Sequence, residues 1–155
     1  MSLIIQKYGG SSLSDAYKIT RVAQRVVDVL DAGEQVVVVV SAMGDTTDDL
    51  IELASKICES PEPRELDLLL SSGELVSCTL MAMALSSLGR DAISLTGLQA
   101  GIHTDSSHGR ARIDGVETRR IRKELEAGRI VVVAGFQGFT AVSYTHLTLP
   151  TILLV

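Results

Sequence analysis

Residues 36–40 are five valines in a row, and residues 130–134 read IVVVA. Branching at Cβ stiffens these side chains and favours a pleated strand over a helix. A strand with one wet face alternates apolar and polar side chains. These two runs do not alternate, so both of their faces must be covered. The interior of a largely parallel sheet flanked by helices provides that cover.

The rest of the chain supplies the helices. Ile19, Val22, Ala23, Val26, Val27 and Leu30 recur at helical spacing over 14–31, with Ser14 placed to cap the start and Gly33 to end it. A second helix after Thr46 carries Leu50, Ile51, Leu53, Ala54 and Ile57, and SPEP at 60–63 breaks it. Helical pattern resumes at Glu65, is interrupted at Ser72 and Gly73, and continues from Glu74 to Leu88, where Gly89 stops it. Short strands are expected at 3–6 and 92–95, a polar loop from 97 to 110, and a charged helix over 117–127 ended by Gly128. Strands alternating with helices give an α/β fold, here a three-layer αβα sandwich with a mostly parallel sheet. The chain has 155 residues and no internal repeat or linker, and a compact chain of this length buries roughly 70% of its unfolded surface.

Composition narrows the function. Hydrophobic residues are 46% and charged ones 21%, as in a globular protein and unlike a disordered one. Aromatics are 3%, the formal net charge is −5 and no basic cluster stands out, which disfavours nucleic acid as a partner. The start MSLIIQKYGG lacks a basic leader region, and no uninterrupted apolar run approaches the roughly 20 residues that span a bilayer. The expectation is a soluble, cytoplasmic protein with no membrane partner. Cys58 and Cys78 fall in apolar helical pattern without CxxC spacing, which favours reduced, buried thiols. His103 and His108 are five apart in the polar loop, a spacing that suits no metal pair, so they read as a surface loop. RRIRKELEAG reads as a solvated helix face.

In an open α/β sheet, ligands collect beyond the carboxyl ends of the strands, and three stretches fall there. In KYGGSS, Gly9 and Gly10 are expected to turn with positive φ and present N–H groups to an anion, Lys7 adds a compact positive charge, and a helix follows. A glycine turn with a solvated lysine is the alternative. In SAMGDTTDD, Ser41, Thr46 and Thr47 offer hydroxyls and Gly44 backbone access, or a threonine simply caps the next helix. In SSGE, residues 71–74, Ser72 caps and Glu74 sits in a first helical turn, or Glu74 is held to bind an ammonium group. None of these is a Walker A loop or GxGxxG.

KYGGSS, VVVVVSAMGDTTDDL, SSGE, LTGLQAGIHTD, HGRARI and VVAGFQG, in this order and spacing, resemble the N-terminal part of aspartate kinases of the amino-acid kinase superfamily, over residues 3–140. The resemblance implies transfer of the γ-phosphoryl of ATP to the β-carboxylate of L-aspartate, the first step toward lysine, threonine and methionine, in an oligomeric parent enzyme. It implies that Lys7 neutralises charge on the transferring group, that Gly9, Gly10 and Ser11 cradle ATP phosphates, and that Ser41 lines the nucleotide side. By the same resemblance Thr47 holds a carboxylate of aspartate and Glu74 its ammonium group. Magnesium is expected with ATP, held by phosphates and water and by no protein metal site. A glutamate, carbamate or uridylate kinase of the same superfamily, or a non-catalytic amino-acid or nucleotide binding module, is the alternative.

The pattern dissolves after Gly138. Family members continue with a TTLGRGGSD-like segment, whereas this chain reads FTAVSYTHLTLPTILLV, and residues 130–155 contain no Asp, Glu, Lys or Arg. The expectation is a family domain over 1–140 and a foreign tail over 141–155, in a fragment that carries about half of a kinase site and is inactive alone.

Overall fold

The computed structural model describes residues 2–140 and the backbone of 145–147. The tail expected over 141–155 lies outside the described residues, apart from that short backbone stretch.

The non-alternating runs are the centre of a sheet. Strands β1 (Leu3–Tyr8), β2 (Gln35–Val40), β6 (Ile130–Ala134) and β3 (Ala92–Leu95) lie side by side in that order, all parallel. The two central strands are the valine-rich ones, and Val36, Val38, Val40, Val131 and Val132 are at most 1% exposed. Burying one such side chain contributes about 1.5–3 kcal/mol. On one face the sheet packs against α1 (Ala16–Asp31) and α3 (Pro63–Ser87) through Ile19, Val22, Val26, Cys78, Met81 and Leu85, and α2 (Thr46–Ile57) leans on α3. On the other face, α4 (Arg119–Glu126) and β4 (Ile102–Thr104) meet Val37, Val131 and Val133 through Leu125, Ile121 and Ile102.

Four expectations are corrected. First, α3 runs unbroken through Ser72 and Gly73. Ser71 and Ser72 turn their hydroxyls back onto the carbonyls of Leu68 and Leu69, at 2.7 and 2.6 Å. At Gly73 the loop after β2 and the start of α2 press close: a Cβ there would stand 3.1 Å from the Ala42 methyl and 3.3 Å from Thr46 Cγ2. Second, α1 starts later than expected, because residues 10–13 first form a 3-10 turn, and Asp15 caps it by accepting the Lys18 N–H at 2.8 Å. Third, the supposed polar loop contains β4, followed by β5 (Ile113–Val116), and these join β7 (Gln137–Phe139) and β8 (Thr145–Leu147) in a second sheet of order β5-β4-β7-β8. Fourth, only one thiol is buried. Cys78 lies between the carbonyls of Val132 and Leu95 and burial pushes it up to about 12, while Cys58 is exposed just past the end of α2.

The histidines are also less free than a surface loop suggests. His103 packs against Phe139 with ring centroids 4.4 Å apart and planes tilted by 45°. His108 Nδ1 lies 3.1 Å from Asp67 Oδ2, and both oxygens of that buried carboxylate accept the Gly109 N–H.

Candidate active site

All four strands of the parallel sheet end at the same edge, so the segments after β1, β2 and β6 share it. Backbone contacts join them. Ser41 N–H donates to the Tyr8 carbonyl at 3.1 Å, Gly44 N–H to the Gly10 carbonyl at 3.0 Å, and Gly135 N–H to the Val40 carbonyl at 2.7 Å.

The expected positive φ at the glycines of KYGGSS does not occur, and Gly10 serves close approach instead. Neither glycine is among the positive-φ residues, and Gly9 is extended at φ −80°. A Cβ on Gly10 would sit 2.8 Å from the Ala42 carbonyl oxygen and 2.9 Å from that of Gly44, so only glycine lets the two loops close on each other. Gly9 has open space where its Cβ would be. Lys7 is exposed near the end of β1, paired with Val39, and its ammonium lies 4.9 Å from the centroid of the Phe136 ring. Such a contact favours a cation by about 0.5–1 kcal/mol and steers the side chain toward the segment after β6.

The loop after β2 rests on α3. The Ser41 carbonyl accepts the Ser77 hydroxyl at 2.6 Å, and Thr46 faces Gly73. Thr47, one residue on in the first turn of α2, is exposed, as is Ser11 in the turn after β1.

Glu74 is 5% exposed on the buried face of α3. Gln137 donates its amide to Glu74 Oε2 at 3.0 Å and to the Ser71 carbonyl at 2.8 Å. Burial pushes the Glu74 carboxyl up to about 8, against the downward pull of the Gln137 hydrogen bond. Among the described residues no cation pairs with it. A buried carboxylate without a cation is costly when ionised, which makes this position suited to receiving one from a ligand.

Lys7 and Glu74 are thus connected through consecutive residues, Phe136 beneath the lysine and Gln137 against the glutamate. Phe136 lies in the two-residue turn between β6 and β7, and Gln137 is the first residue of β7. The sequence drew attention to VVAGFQG as a motif but singled out neither residue; a polar side chain three residues past a fully buried strand was the available signal. Of the predicted site residues, Gly10, Ser41 and Glu74 are in contact with the neighbouring segments described here, Lys7 touches the segment after β6, and Gly9, Ser11 and Thr47 lie alongside. No group of three or more His, Cys, Asp or Glu side chains suited to a metal ion occurs among the described residues.

The amino acid kinase family matches residues 2–148. The chain is 57% identical over 138 residues to an aspartokinase of Mycobacterium tuberculosis, covering 89% of this chain and 33% of that protein. It is 54% identical over 140 residues to an aspartokinase of Geobacillus stearothermophilus, covering 90% and 34%. The chain therefore spans about a third of the length of these curated relatives. Among solved structures, an aspartate kinase from Synechocystis superposes with a TM-score of 0.78 at 41% identity, over 96% of this chain and 24% of that one. Escherichia coli aspartokinase III in complex with aspartate and ADP superposes with a TM-score of 0.76 over 95% of this chain and 43% of that one, and at 20% identity the likeness is one of fold.

Proposed function

The chain belongs to the amino acid kinase family, and from that premise we propose that it is the N-terminal, amino-acid-binding part of an aspartate kinase that moves the γ-phosphoryl of ATP to the β-carboxylate of L-aspartate. A carboxylate oxygen attacks the γ-phosphorus, the bond to the β-phosphate oxygen breaks, and ADP leaves as the acyl phosphate forms. Phosphoryl transfer asks little covalent work of a protein, so rate comes from positioning and charge neutralisation.

The observation that carries the proposal is Glu74, a buried carboxylate with an amide as its polar side-chain partner and no cation among the described residues, at the edge where Lys7 and the close-packed glycine loop also lie. In this proposal Glu74 takes the ammonium group of aspartate and Thr47 a carboxylate. Lys7 offsets charge on the transferring phosphoryl, Gly9, Gly10 and Ser11 hold ATP phosphates with main-chain amides, and Ser41 lines the nucleotide side. Magnesium, when bound, neutralises phosphate charge, with phosphates and water as its ligands. Work at the first step toward lysine, threonine and methionine, a cytoplasmic location, an oligomeric parent, and the absence of nucleic-acid or membrane partners belong to the same proposal.

The test is a hydroxamate assay on the full gene product with ATP, magnesium and either aspartate or glutamate. Hydroxamate formed with aspartate and at least about tenfold less with glutamate is the expected outcome, since one methylene of misfit costs about 1–3 kcal/mol. Aspartate binding without hydroxamate would favour a binding module instead, and preference for glutamate would move the protein to another branch of the family.

A further inference from the structure

We propose that Gln137 is a positioning residue for the amino-acid substrate: its amide fixes Oε2 of Glu74 and thereby presents Oε1 to the substrate's ammonium group. This rests on the kinase reading above and adds a residue to it.

Three observations carry it. Gln137 is 3% exposed, and its amide is committed to two acceptors on one helix, Ser71 carbonyl and Glu74 Oε2. Among the described residues Oε1 of Glu74 has no donor in a residue only 5% exposed, and it is not one of the fully enclosed unbonded oxygens, which belong to Thr104 and Thr140. A half-bonded buried carboxylate is oriented but still short of a cation. The backbone around Gln137 is held tightly as well: a Cβ on Gly97, in the turn after β3, would fall 2.5 Å from the Gln137 carbonyl oxygen. Phe136 just before it has φ +54°, an unusual conformation for a large side chain, and its ring reaches Lys7 while the next side chain reaches Glu74. A strained turn that places two successive side chains on the two charged groups of one site is better explained by function than by packing.

Two variants test it in the full gene product: Gln137→Met, which keeps length and removes the donors, and Gln137→Glu, which keeps shape and sets an acceptor against Glu74. The aspartate KM is expected to rise about ten- to a hundredfold in Gln137→Met, the cost of a hydrogen bond to a charged group, and further in Gln137→Glu. Turnover at saturating aspartate is expected to fall less than about threefold, because the lost bond orients substrate and does not touch phosphoryl. A 13C-detected titration of Glu74 should show its pKa higher in Gln137→Met than in the wild type. A merely structural role predicts lower melting temperatures with an aspartate KM within about twofold of the wild type, and a Glu74 titration that does not move in Gln137→Met means that the bond between the two side chains is not made. Either result overturns the inference, as does an unchanged KM in both variants while the wild type binds aspartate. A wild type that binds no aspartate overturns the kinase reading and this inference with it. If Gln137→Met fails to fold, Gln137→Glu carries the test through its KM alone.

Discussion

The two ends of the parallel sheet each bury a glutamate, and they treat it in opposite ways. At the amino end, Glu124 of α4 is 4% exposed and bonded by both Arg129, at 2.5 Å, and Arg120, at 2.6 Å, while Arg129 also reaches Asp91 at 3.2 Å. The hydrogen bonds from Arg129 and Arg120 hold its carboxyl below the ordinary range. At the carboxyl end, Glu74 is 5% exposed, bonded by one neutral amide, and pushed up to about 8. Glu124 is covered at the surface by two arginines that are themselves nearly half exposed, whereas Glu74 is enclosed by the interior; similar exposure with opposite satisfaction separates a structural charge from one prepared for a ligand. A chain saturates its own buried charges where it can, so the unsaturated one marks the working edge.

The sharpest way to break this contrast is to remove a cation from each end. Lys7→Ala in the full gene product is expected to lower turnover by a hundred- to a thousandfold, about 2.7–4 kcal/mol of barrier, with the melting temperature unchanged. Arg129→Ala, at the other end, is expected to lower the melting temperature and leave turnover within about twofold. Steady-state phosphoryl transfer and a thermal melt on the same two proteins check both. Near-normal turnover in Lys7→Ala would remove Lys7 from the chemistry, and a large turnover loss in Arg129→Ala would erase the distinction between the ends.

The pH dependence of stability comes next in size, because the two glutamates titrate in opposite senses. The folded pKa of Glu74, about 8, lies above its ordinary 4.5, so the fold holds a proton that the unfolded chain releases. Below 4.5 both states are protonated and nothing is lost; as pH rises from 4.5 toward 8, stability falls, by about 3 kcal/mol on reaching pH 7. Urea midpoints measured across this window should decline in the wild type and stay nearly flat in Glu74→Gln. Aspartate should restore part of the loss, since its ammonium favours the ionised carboxylate, and binding at pH 7 should release a proton, seen as a buffer-dependent binding enthalpy. A wild-type profile as flat as that of Glu74→Gln would mean that Glu74 is not buried as a carboxylic acid.

Much of this edge was legible before any coordinates. The unalternating valines gave the central strands, and KYGGSS and SAMGDTT follow β1 and β2 as expected, whereas SSGE, expected as a loop beyond a strand end, lies in the middle of α3. What escaped was set by tertiary contacts. Gly73 looks like a break, yet it sits in mid-helix because α2 approaches there to within a methyl group's reach. Strands of three and four residues, β4 and β5, have too few positions to show a period. Glu124 is hidden in a run of charges that reads as solvated, and its burial depends on Arg129, beyond the helix. Gln137 and Glu74 are 63 residues apart, and no local pattern couples them.

A third contrast lies within the glycine pair, and it is smaller. Gly10→Ala would force a methyl against two carbonyl oxygens at 2.8 and 2.9 Å, neither of which is a flexible side-chain end. A cost of about 1–3 kcal/mol is expected, with weaker ATP binding as the loops part. Gly9→Ala meets open space at an ordinary negative φ, so its stability should be unchanged or higher by about 0.4–1 kcal/mol. Thermal melts of the two variants separate them, and equal losses would show that Gly9 is needed for something other than the packing of these loops.

The smallest effect returns to the amino end. Arg120 is about half exposed and Glu124 keeps Arg129 when it is removed, so Arg120→Ala should cost no more than a few degrees in melting temperature at neutral pH. Its sign with pH is the opposite of that at Glu74. A carboxyl held below its unfolded value contributes stability above that value, and the contribution is lost as pH falls through the depressed folded pKa. The melting difference between wild type and Arg120→Ala should therefore shrink to nothing on acidification, while the aspartate KM stays unchanged at every pH. A KM that moved with Arg120 would mean that the saturated end of the sheet takes part in substrate binding, and that the satisfaction of a buried charge does not distinguish scaffold from site.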